Sequence, residues 1–177
     1  MSDPPTQLRP GRPTQTRSPV KTLLQAWYCW VDREPDRPVA LPERASLERG
    51  AWNALVGCTG ERLAAKHLWR TGRKVLYRNY RPKGGGEVDL VYREADTLVF
   101  GEVKTRTRGE FGDPSRAVTR AKEKLVIRGA NAWLRELHHP DVSFRFDIIE
   151  VLLHEGKAPQ FQVIENAFTT PQAGLGM

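Results

Sequence analysis

Cysteine, histidine and long apolar runs are scarce in this sequence, and each scarcity excludes a class of protein. The two cysteines, Cys29 and Cys58, form no C-x-x-C pair, and none of the four histidines lies near them at zinc-ligand spacing. The most apolar N-terminal stretch, residues 20–31, contains Lys21, is too short to span a bilayer and lacks a small-residue cleavage site. These features predict a cytoplasmic protein without a structural zinc site or a signal peptide.

The composition is basic and only moderately apolar. Twenty-eight lysines and arginines against 21 acidic residues give a net charge of +7, and 39% of the residues are hydrophobic. A positive surplus favours a polyanionic partner, nucleic acid first and an anionic membrane second. A basic protein without such a partner has the same composition, so charge alone leaves that alternative open. The low apolar fraction predicts that part of the chain lies outside any core.

Composition divides the chain into an N-terminal extension at residues 1–45, a domain at residues 46–170 and a flexible tail at residues 171–177. Residues 1–19 are rich in Pro, Arg, Thr and Gln and cannot bury enough apolar surface to balance their ordering entropy, so the extension is predicted to be largely disordered. Trp27 and Trp30 lie in a short amphipathic stretch, for which docking of a protein partner is the favoured role and membrane-surface binding the weaker one.

Within the domain, apolar periodicity and turn residues predict the element order αβββαββ. A short helix at residues 46–56, with Ser46 as N-cap, precedes a helix at residues 59–71 that Gly72 ends in the left-handed conformation. Asp113-Pro114 opens a second long helix, residues 114–137. Its predicted buried stripe is Val118, Ala121, Leu125, Gly129, Ala132 and Trp133. Strands are predicted at residues 74–81, 87–93, 98–105, 143–153 and 161–167. This order indicates an α/β fold with a mixed five-stranded sheet flanked by helices.

Residues 84–106 form a predicted hairpin that collects charged side chains. If Arg93 pairs with Leu98, Asp89 falls opposite Glu102, and Glu87 falls opposite Lys104. Opposed residues have Cβ atoms about 4.5–5.5 Å apart, and Glu102 shares a face with Lys104 because strand side chains alternate. The opposite, core-facing side then carries Val88, Leu90, Tyr92, Val99 and Val103.

Two facing carboxylates repel each other, and a divalent cation between them removes the conflict. Ligation by oxygen alone suits Mg²⁺ or Mn²⁺ rather than zinc. Such a cation activates water and stabilises charge on a scissile phosphate, and Lys104 is placed to orient the water or neutralise the transition state. Glu61 lies on the apolar stripe of the first helix, where an acid is unexpected unless it is a further metal or water ligand.

Each of these residues also has an ordinary structural interpretation. An E-x-K pattern on a strand is more often a simple ion pair, and Glu61 is long enough to reach solvent. Lys122 on the second helix is more often a lysine that extends its apolar stem along the surface than a phosphate contact. The functional interpretation therefore depends on the coincidence, in one fold, of Glu61, Asp89, Glu102 and Lys104.

Asp89 followed by Glu102-Val103-Lys104 resembles the PD-(D/E)xK nuclease superfamily. Within it, the sequence is similar to the YraN family, bacterial proteins that resemble Holliday-junction resolvases. The shared segments lie between Gly57 and Phe168. They are Gly57-x-x-Gly60-Glu61, Arg78-Asn79-Tyr80-Arg81, Gly86-Glu87-Val88-Asp89-Leu90, Phe100-Gly101-Glu102-Val103-Lys104-Thr105-Arg106, Phe111-Gly112-x-Pro114, Arg145-Phe146-Asp147 and Asn166-Ala167-Phe168.

The resemblance implies a restriction-endonuclease-like core, with the nuclease positions occupied by Glu61, Asp89, Glu102 and Lys104. The three acids are then the expected ligands of Mg²⁺ or Mn²⁺. Phosphate contacts are predicted for Arg81, Arg106 and Lys122. The expected function is an endonuclease acting on DNA, branched or single-stranded, and the alternative is a nuclease fold that binds nucleic acid or protein without cutting. A homodimer is expected by analogy alone.

Two positions depart from the family pattern. Gly101 stands where a branched apolar residue is usual, and we expect it to loosen the packing behind the site. Val88 stands before Asp89, in place of the proline of the superfamily's name. That replacement is common and changes no expectation.

Overall fold

The computed structural model describes residues 39–107 and 118–170, and the order of their elements is αβββαββ, as predicted. The predictions for Trp27, Trp30, the Asp113-Pro114 helix start and the tail lie outside the described residues. No helix in the described ranges combines the length and apolarity needed to cross a membrane. After a 3-10 turn at Arg44–Ser46, the elements are α1 (Arg49–Arg70), β1 (Lys74–Tyr80), β2 (Val88–Glu94), β3 (Thr97–Arg106), α2 (Arg120–Glu136), β4 (Phe144–Leu152) and β5 (Gln160–Phe168).

The described strands form one sheet in the order β1-β2-β3-β4-β5. Strands β3 and β4 are parallel, since α2 connects them, and the other neighbours are antiparallel. Leu68 of α1 packs on one face against a cluster that includes Leu90 and Ile149. Val126 of α2 packs on the other face against a cluster that includes Phe100. This confirms the predicted α/β class with a restriction-endonuclease-like mixed sheet.

Helix α1 is one 22-residue helix, so the prediction of two shorter helices is wrong. Ser46 is not its N-cap, because it lies in the 3-10 turn and its Oγ donates a hydrogen bond to the Glu43 carbonyl at 2.6 Å. The helix continues through Gly60, where it comes closest to β3. A Cβ at Gly60 would lie 1.8 Å from the Thr105 Oγ1, so glycine is required there for close packing.

The predicted end of α1 is confirmed. Gly72 has a φ of +86°, which glycine adopts without steric cost. The N–H of Arg73 donates to the Leu68 carbonyl at 2.9 Å, and the N–H of Gly72 donates to the Trp69 carbonyl at 3.0 Å. This pair of bonds is a Schellman motif, which satisfies carbonyls that the helix end leaves free.

Helix α2 begins later than the sequence predicted, and its buried face matches the predicted stripe only in part, at Gly129 and Ala132. Thr119 is the N-cap; its backbone is extended and its Oγ1 accepts from the Lys122 N–H at 3.3 Å. The buried stripe contains Val126 and Ala130, whereas the predicted core residue Leu125 is exposed. Lys122 lies one turn before Val126, so the corrected phase directs its side chain towards the sheet.

The predicted hairpin register is confirmed along most of its length. Arg93 pairs with Leu98, and the ladder continues to Leu90 and Gly101. Beyond that point the strands part, and the Oδ2 of Asp89 accepts the Val103 N–H at 2.8 Å. A side chain therefore takes the hydrogen bond that a ladder partner would otherwise accept.

The prediction that Val88 shares a face with Leu90 is wrong. Val88 and its ladder partner Tyr80 pack in the cluster under α2, although Leu90 packs in the cluster under α1. The residue between Arg78 and Tyr80 is Asn79, which has a φ of +51°. This left-handed residue interrupts the alternation of faces, so the end of the β1–β2 ladder turns towards α2.

Gly101 does not loosen the packing behind the site, contrary to expectation. A Cβ at this position would lie 2.7 Å from Ile149 Cδ1 and 3.2 Å from Tyr92 Cε1, so neighbouring side chains already fill the space. The Tyr92 hydroxyl donates to Asp147 Oδ2 at 2.5 Å, which joins β2 to β4 on either side of β3. The missing side chain on β3 gives the Tyr92 ring the room for this contact.

Candidate active site

Asp89 and Glu102 are the buried acids at the point where β2 and β3 part. They are 4% and 6% exposed, respectively. The Val103 N–H fixes the Asp89 carboxylate, and one oxygen of each carboxyl group lies within 4 Å of the Lys122 Nζ. Glu102 Oε2 is buried and accepts no well-aligned hydrogen bond from the described residues. The structure thus brings together the two acids that the sequence analysis paired.

The negative charge of Asp89 makes ionisation of Glu102 less favourable. Burial raises the pKa of Glu102 to about 8, and the neighbouring charge of Asp89 acts in the same direction, while Lys122 opposes both. A carboxyl group with such a pKa holds a proton at neutral pH unless a cation compensates it. Binding of a further positive charge at this site would therefore stabilise the ionised form of Glu102.

Lys122 supplies part of that charge from α2. Its Nζ lies 3.3 Å from Glu102 Oε2, 3.3 Å from Glu87 Oε1 and 3.9 Å from Asp89 Oδ1. Burial opposes its charge, but the three carboxylates outweigh burial and raise the pKa of Lys122. The contact with Glu102 is close but is not aligned as a hydrogen bond, which explains why Oε2 remains without a proper donor. Lys122 is thus directed at the acids rather than along the helix surface.

Glu61 approaches the same region from α1. Its Oε2 accepts a hydrogen bond from Asn79 Nδ2 at 2.7 Å. Burial raises the pKa of Glu61, the Asn79 hydrogen bond opposes that rise, and the charge of Asp89 adds to it. Asn79 is not among the predicted site residues, although it belongs to a segment shared with the family. The structure makes it the residue that holds Glu61 beside the site.

Lys104 follows Glu102 by two positions on the regular strand β3, so the two residues share a face. The Lys104 side chain is exposed and forms no ion pair with any residue in ranges 39–107 and 118–170. The predicted pairing of Glu87 with Lys104 is wrong, because Glu87 instead contacts Arg81 at 3.0 Å as well as Lys122. Lys104 therefore remains available to a ligand.

The three predicted phosphate contacts occupy different environments. Arg81 is 66% exposed and has only the contact with Glu87 among its described ion pairs. Lys122 is directed at the acids. Arg106 lies 3.2 Å from Oε1 of Glu150, whose side chain is 0% exposed, so its guanidinium neutralises a buried carboxylate. Arg81 is the one of the three that is most open to solvent.

The donor set can be tested against a metal ion. Among the described residues, no three His, Cys, Asp or Glu side chains lie close enough to hold a metal by themselves. Asp89 and Glu102 converge, however, and Glu102 contributes a buried oxygen without a proper donor. Mg²⁺ usually binds through one or two carboxylates, with water and substrate phosphates completing its shell. The pair therefore fits Mg²⁺ or Mn²⁺ and does not fit a structural zinc ion.

Comparison with known proteins places this site within a family. Residues 60–151 match the uncharacterised protein family UPF0102, and this range contains Glu61, Asp89, Glu102 and Lys104. UPF0102 proteins of Geobacter metallireducens and Geobacter sulfurreducens are each 43% identical over 116 residues, covering 66% of this chain and 93% and 90% of theirs. A UPF0102 protein of Rhodococcus opacus is 40% identical over 118 residues, covering 67% of this chain and 99% of its own. The chain therefore belongs to the UPF0102 family, which is the YraN family indicated by the sequence motifs.

Proposed function

We propose that this protein is a Mg²⁺-dependent endonuclease that hydrolyses phosphodiester bonds in DNA. The observation that carries the proposal is the buried pair of acids, Asp89 and Glu102, at the opening between two strands. Burying adjacent carboxylates costs stability unless a cation or proton compensates them. Binding of a divalent cation together with a phosphate would explain why two acids are buried side by side, which packing alone does not explain.

The residues around the pair have distinct expected roles. Asp89 and Glu102 would hold Mg²⁺ or Mn²⁺, and Glu61, held by Asn79, would bind a water molecule or a second ion. When bound, the cation would lower the pKa of water and neutralise charge on the scissile phosphate. Lys104, exposed on the same face as Glu102, would orient the attacking water or stabilise the developing negative charge.

Recognition of the DNA backbone would depend on cations at the edge of the site. Arg81 is exposed and lies 3.0 Å from Glu87, which also contacts Lys122. A phosphate entering here would compete with Glu87 for both cations. The net charge of +7 would favour association with a polyanion. Arg106 remains a predicted contact, although its partner Glu150 already engages it.

One observation favours a second candidate, a module that binds nucleic acid without cutting it. Lys122 lies within 4 Å of both buried acids and partly neutralises them without any metal. If this ammonium group permanently occupies the place of a divalent cation, the fold would bind nucleic acid but would not hydrolyse it. Binding would then be sensitive to salt and indifferent to Mg²⁺.

The deciding experiment is a panel of labelled DNA substrates, comprising a four-way junction, a flap, a single strand and a blunt duplex, with Mg²⁺, Mn²⁺ or EDTA. Asp89→Asn is the sharpest variant, because an amide oxygen can still accept the Val103 N–H while the charge is lost. Asp96→Asn is the matched control, since Asp96 is fully exposed in the β2–β3 turn.

Metal-dependent product from wild type and Asp96→Asn, but not from Asp89→Asn or Lys104→Ala, supports the nuclease. Asp89→Asn should bind DNA at least as tightly as wild type, because a negative charge near phosphate is removed. Cleavage that survives unchanged in Asp89→Asn would refute the assignment. Salt-sensitive binding with no product from any substrate would favour the non-cleaving module.

A further inference from the structure

A groove of about 650 Å³ lies between β1 and the C-terminal part of α2. Its volume is within the range of pockets that hold small organic ligands. One wall is the end of β1 with the loop that follows it, and the other wall is the last turn and a half of α2. The lining residues include Tyr77, Asn79, Arg81, Lys83, Arg135 and Glu136.

Tyr77 is the aromatic residue that the groove leaves open, at 36% exposed. Its ring makes edge contacts with Trp133 and Tyr80, at centroid distances of 5.4 and 5.8 Å. Tyr80 is fixed in turn, because its ring contacts Trp133 at 4.9 Å and its hydroxyl donates to Glu136 at 2.6 Å. The Tyr77 ring is therefore held in place on its inner side. Stacking of a planar ligand on it would cost little side-chain entropy, because the ring is already ordered.

The rim of the groove is positively charged. Arg81, Lys83 and Arg135 are exposed lining residues, and the one acidic lining residue, Glu136, already accepts the Tyr80 hydroxyl. Exposed cations around a supported aromatic ring are the combination with which proteins bind single-stranded nucleic acid: the cations contact phosphates and the ring stacks on a base. An apolar small molecule would match the ring but would not require the cations.

The groove is continuous with the acids through two of its own lining residues. Asn79 donates to Glu61 at 2.7 Å. Arg81 pairs with Glu87, and Glu87 contacts the same Lys122 that lies against the buried pair. Ala132, which lines the groove, follows Lys122 by ten residues, about 15 Å along the axis of α2. A strand whose phosphate reaches the acids would therefore have a nucleotide a few positions away at the groove.

We propose that this groove binds an unpaired nucleotide a few positions from the scissile phosphate, with its base stacked on Tyr77 and its backbone held by Lys83 and Arg135. The position relative to a cleaved bond rests on the proposed function, but the binding itself does not. Bases inside a continuous duplex are already stacked on their neighbours and cannot present a face to Tyr77. The substrate class is therefore nucleic acid with unpaired residues near the cut, and not continuous duplex.

Fluorescence anisotropy in EDTA, where no metal-dependent cleavage occurs, tests the binding directly. A labelled single-stranded oligodeoxynucleotide should bind Tyr77→Ala on the order of tenfold more weakly than wild type, because one stacking contact is lost. Tyr77→Phe keeps the ring and should bind like wild type. Trp69→Ala is the matched control, since Trp69 is a similarly exposed aromatic residue that does not line the groove. A blunt duplex should bind Tyr77→Ala and wild type equally.

A charge-reversal pair tests the rim. Lys83→Glu should weaken single-strand binding and reduce its salt dependence, whereas Lys157→Glu, in the exposed β4–β5 turn, should share only the smaller effect of the changed net charge. Thermal melting of every variant establishes that the fold is intact. A 2-aminopurine base in the oligonucleotide should be quenched by wild type and by Tyr77→Phe but much less by Tyr77→Ala.

The outcomes separate this proposal from the nuclease assignment. If folded Tyr77→Ala binds the single strand as tightly as wild type, the proposed nucleotide binding in the groove is refuted, even if the wild-type protein cleaves DNA. Weakened single-strand binding by Tyr77→Ala supports nucleotide binding in the groove, even if no substrate is cleaved. Failure of wild type to bind any single strand, together with Tyr77-dependent binding of an acidic peptide, would also overturn it, because the occupant would then be a protein.

Discussion

Lys122 places its Nζ 3.3 Å from Oε2 of Glu102, so a helix ammonium occupies the space in which a divalent cation would compensate this carboxylate. The same ammonium lies 3.9 Å from Asp89 Oδ1. Lys122 is therefore the counter-charge of the two acids, and it would compete with the proposed metal ion. The two roles have opposite consequences when the lysine is removed.

Lys122→Met should destabilise the metal-free protein by about 1–2 kcal/mol, because two buried acids lose a counter-charge, although protonation of Glu102 limits the loss. Mg²⁺ or Mn²⁺ should then raise the melting temperature more than in wild type. Melting curves in EDTA and in excess metal measure both effects. Lys124→Met, an exposed lysine of the same helix, is the control and should change neither. An equal metal-induced shift in wild type and Lys122→Met would contradict the competition.

Glu102→Gln should stabilise the metal-free protein at neutral pH by about 1–3 kcal/mol. The substitution keeps the shape of the side chain but removes a buried carboxyl whose pKa burial and Asp89 raise to about 8. Chemical denaturation in EDTA measures the gain. The same variant should lose the stabilisation that metal gives wild type, since a ligand is missing. A variant less stable than wild type in EDTA would show that the carboxylate has a structural partner.

The hairpin register was predictable because alternating apolar residues and a short loop leave few ways to pair β2 with β3. Pairing of Arg93 with Leu98 is sufficient to bring Asp89 and Glu102 together. The face of Val88 was not predictable, because it depends on the left-handed backbone of Asn79 in a neighbouring strand. Strand alternation assumes that no such residue intervenes.

The helices show how tertiary packing overrides local signals. The predicted break between two short helices lies at Gly57 and Cys58, but α1 continues through them because Gly60 allows it to pack closely against Thr105 of β3. The predicted stripe of α2 is right at Gly129 and Ala132 but wrong at Leu125, and the choice of Val126 over Leu125 depends on which one the sheet can receive. That choice also decides whether Lys122 reaches the acids. Lys122, which the sequence offered as a phosphate contact or an ordinary surface lysine, thus lies against the two acids.

Arg106→Met should cost roughly 3 kcal/mol of stability, because it leaves the fully buried Glu150 without its ion-pair partner. The double variant Arg106→Met/Glu150→Met should recover most of this loss. Arg81→Met provides the contrast: its pair with Glu87 is exposed and contributes at most about 1 kcal/mol, but its loss should weaken DNA binding. Urea denaturation and DNA binding measured on all three variants separate a structural arginine from a phosphate contact. A stable Arg106→Met with weakened DNA binding would reverse the assignment of the two residues.

Gly101→Ala should destabilise the protein by about 1–3 kcal/mol, because the new Cβ meets Ile149 Cδ1 at 2.7 Å in a filled core. Ile149→Val removes that methyl group and alone should cost about 1 kcal/mol. In the double variant the added methyl occupies the space of the deleted one, so its loss should be smaller than the sum of the single losses. A double-mutant cycle in urea measures this coupling. Additive losses would mean that the clash is with the Tyr92 ring instead, and the Tyr92 hydrogen bond to Asp147 would then be the contact that the glycine protects.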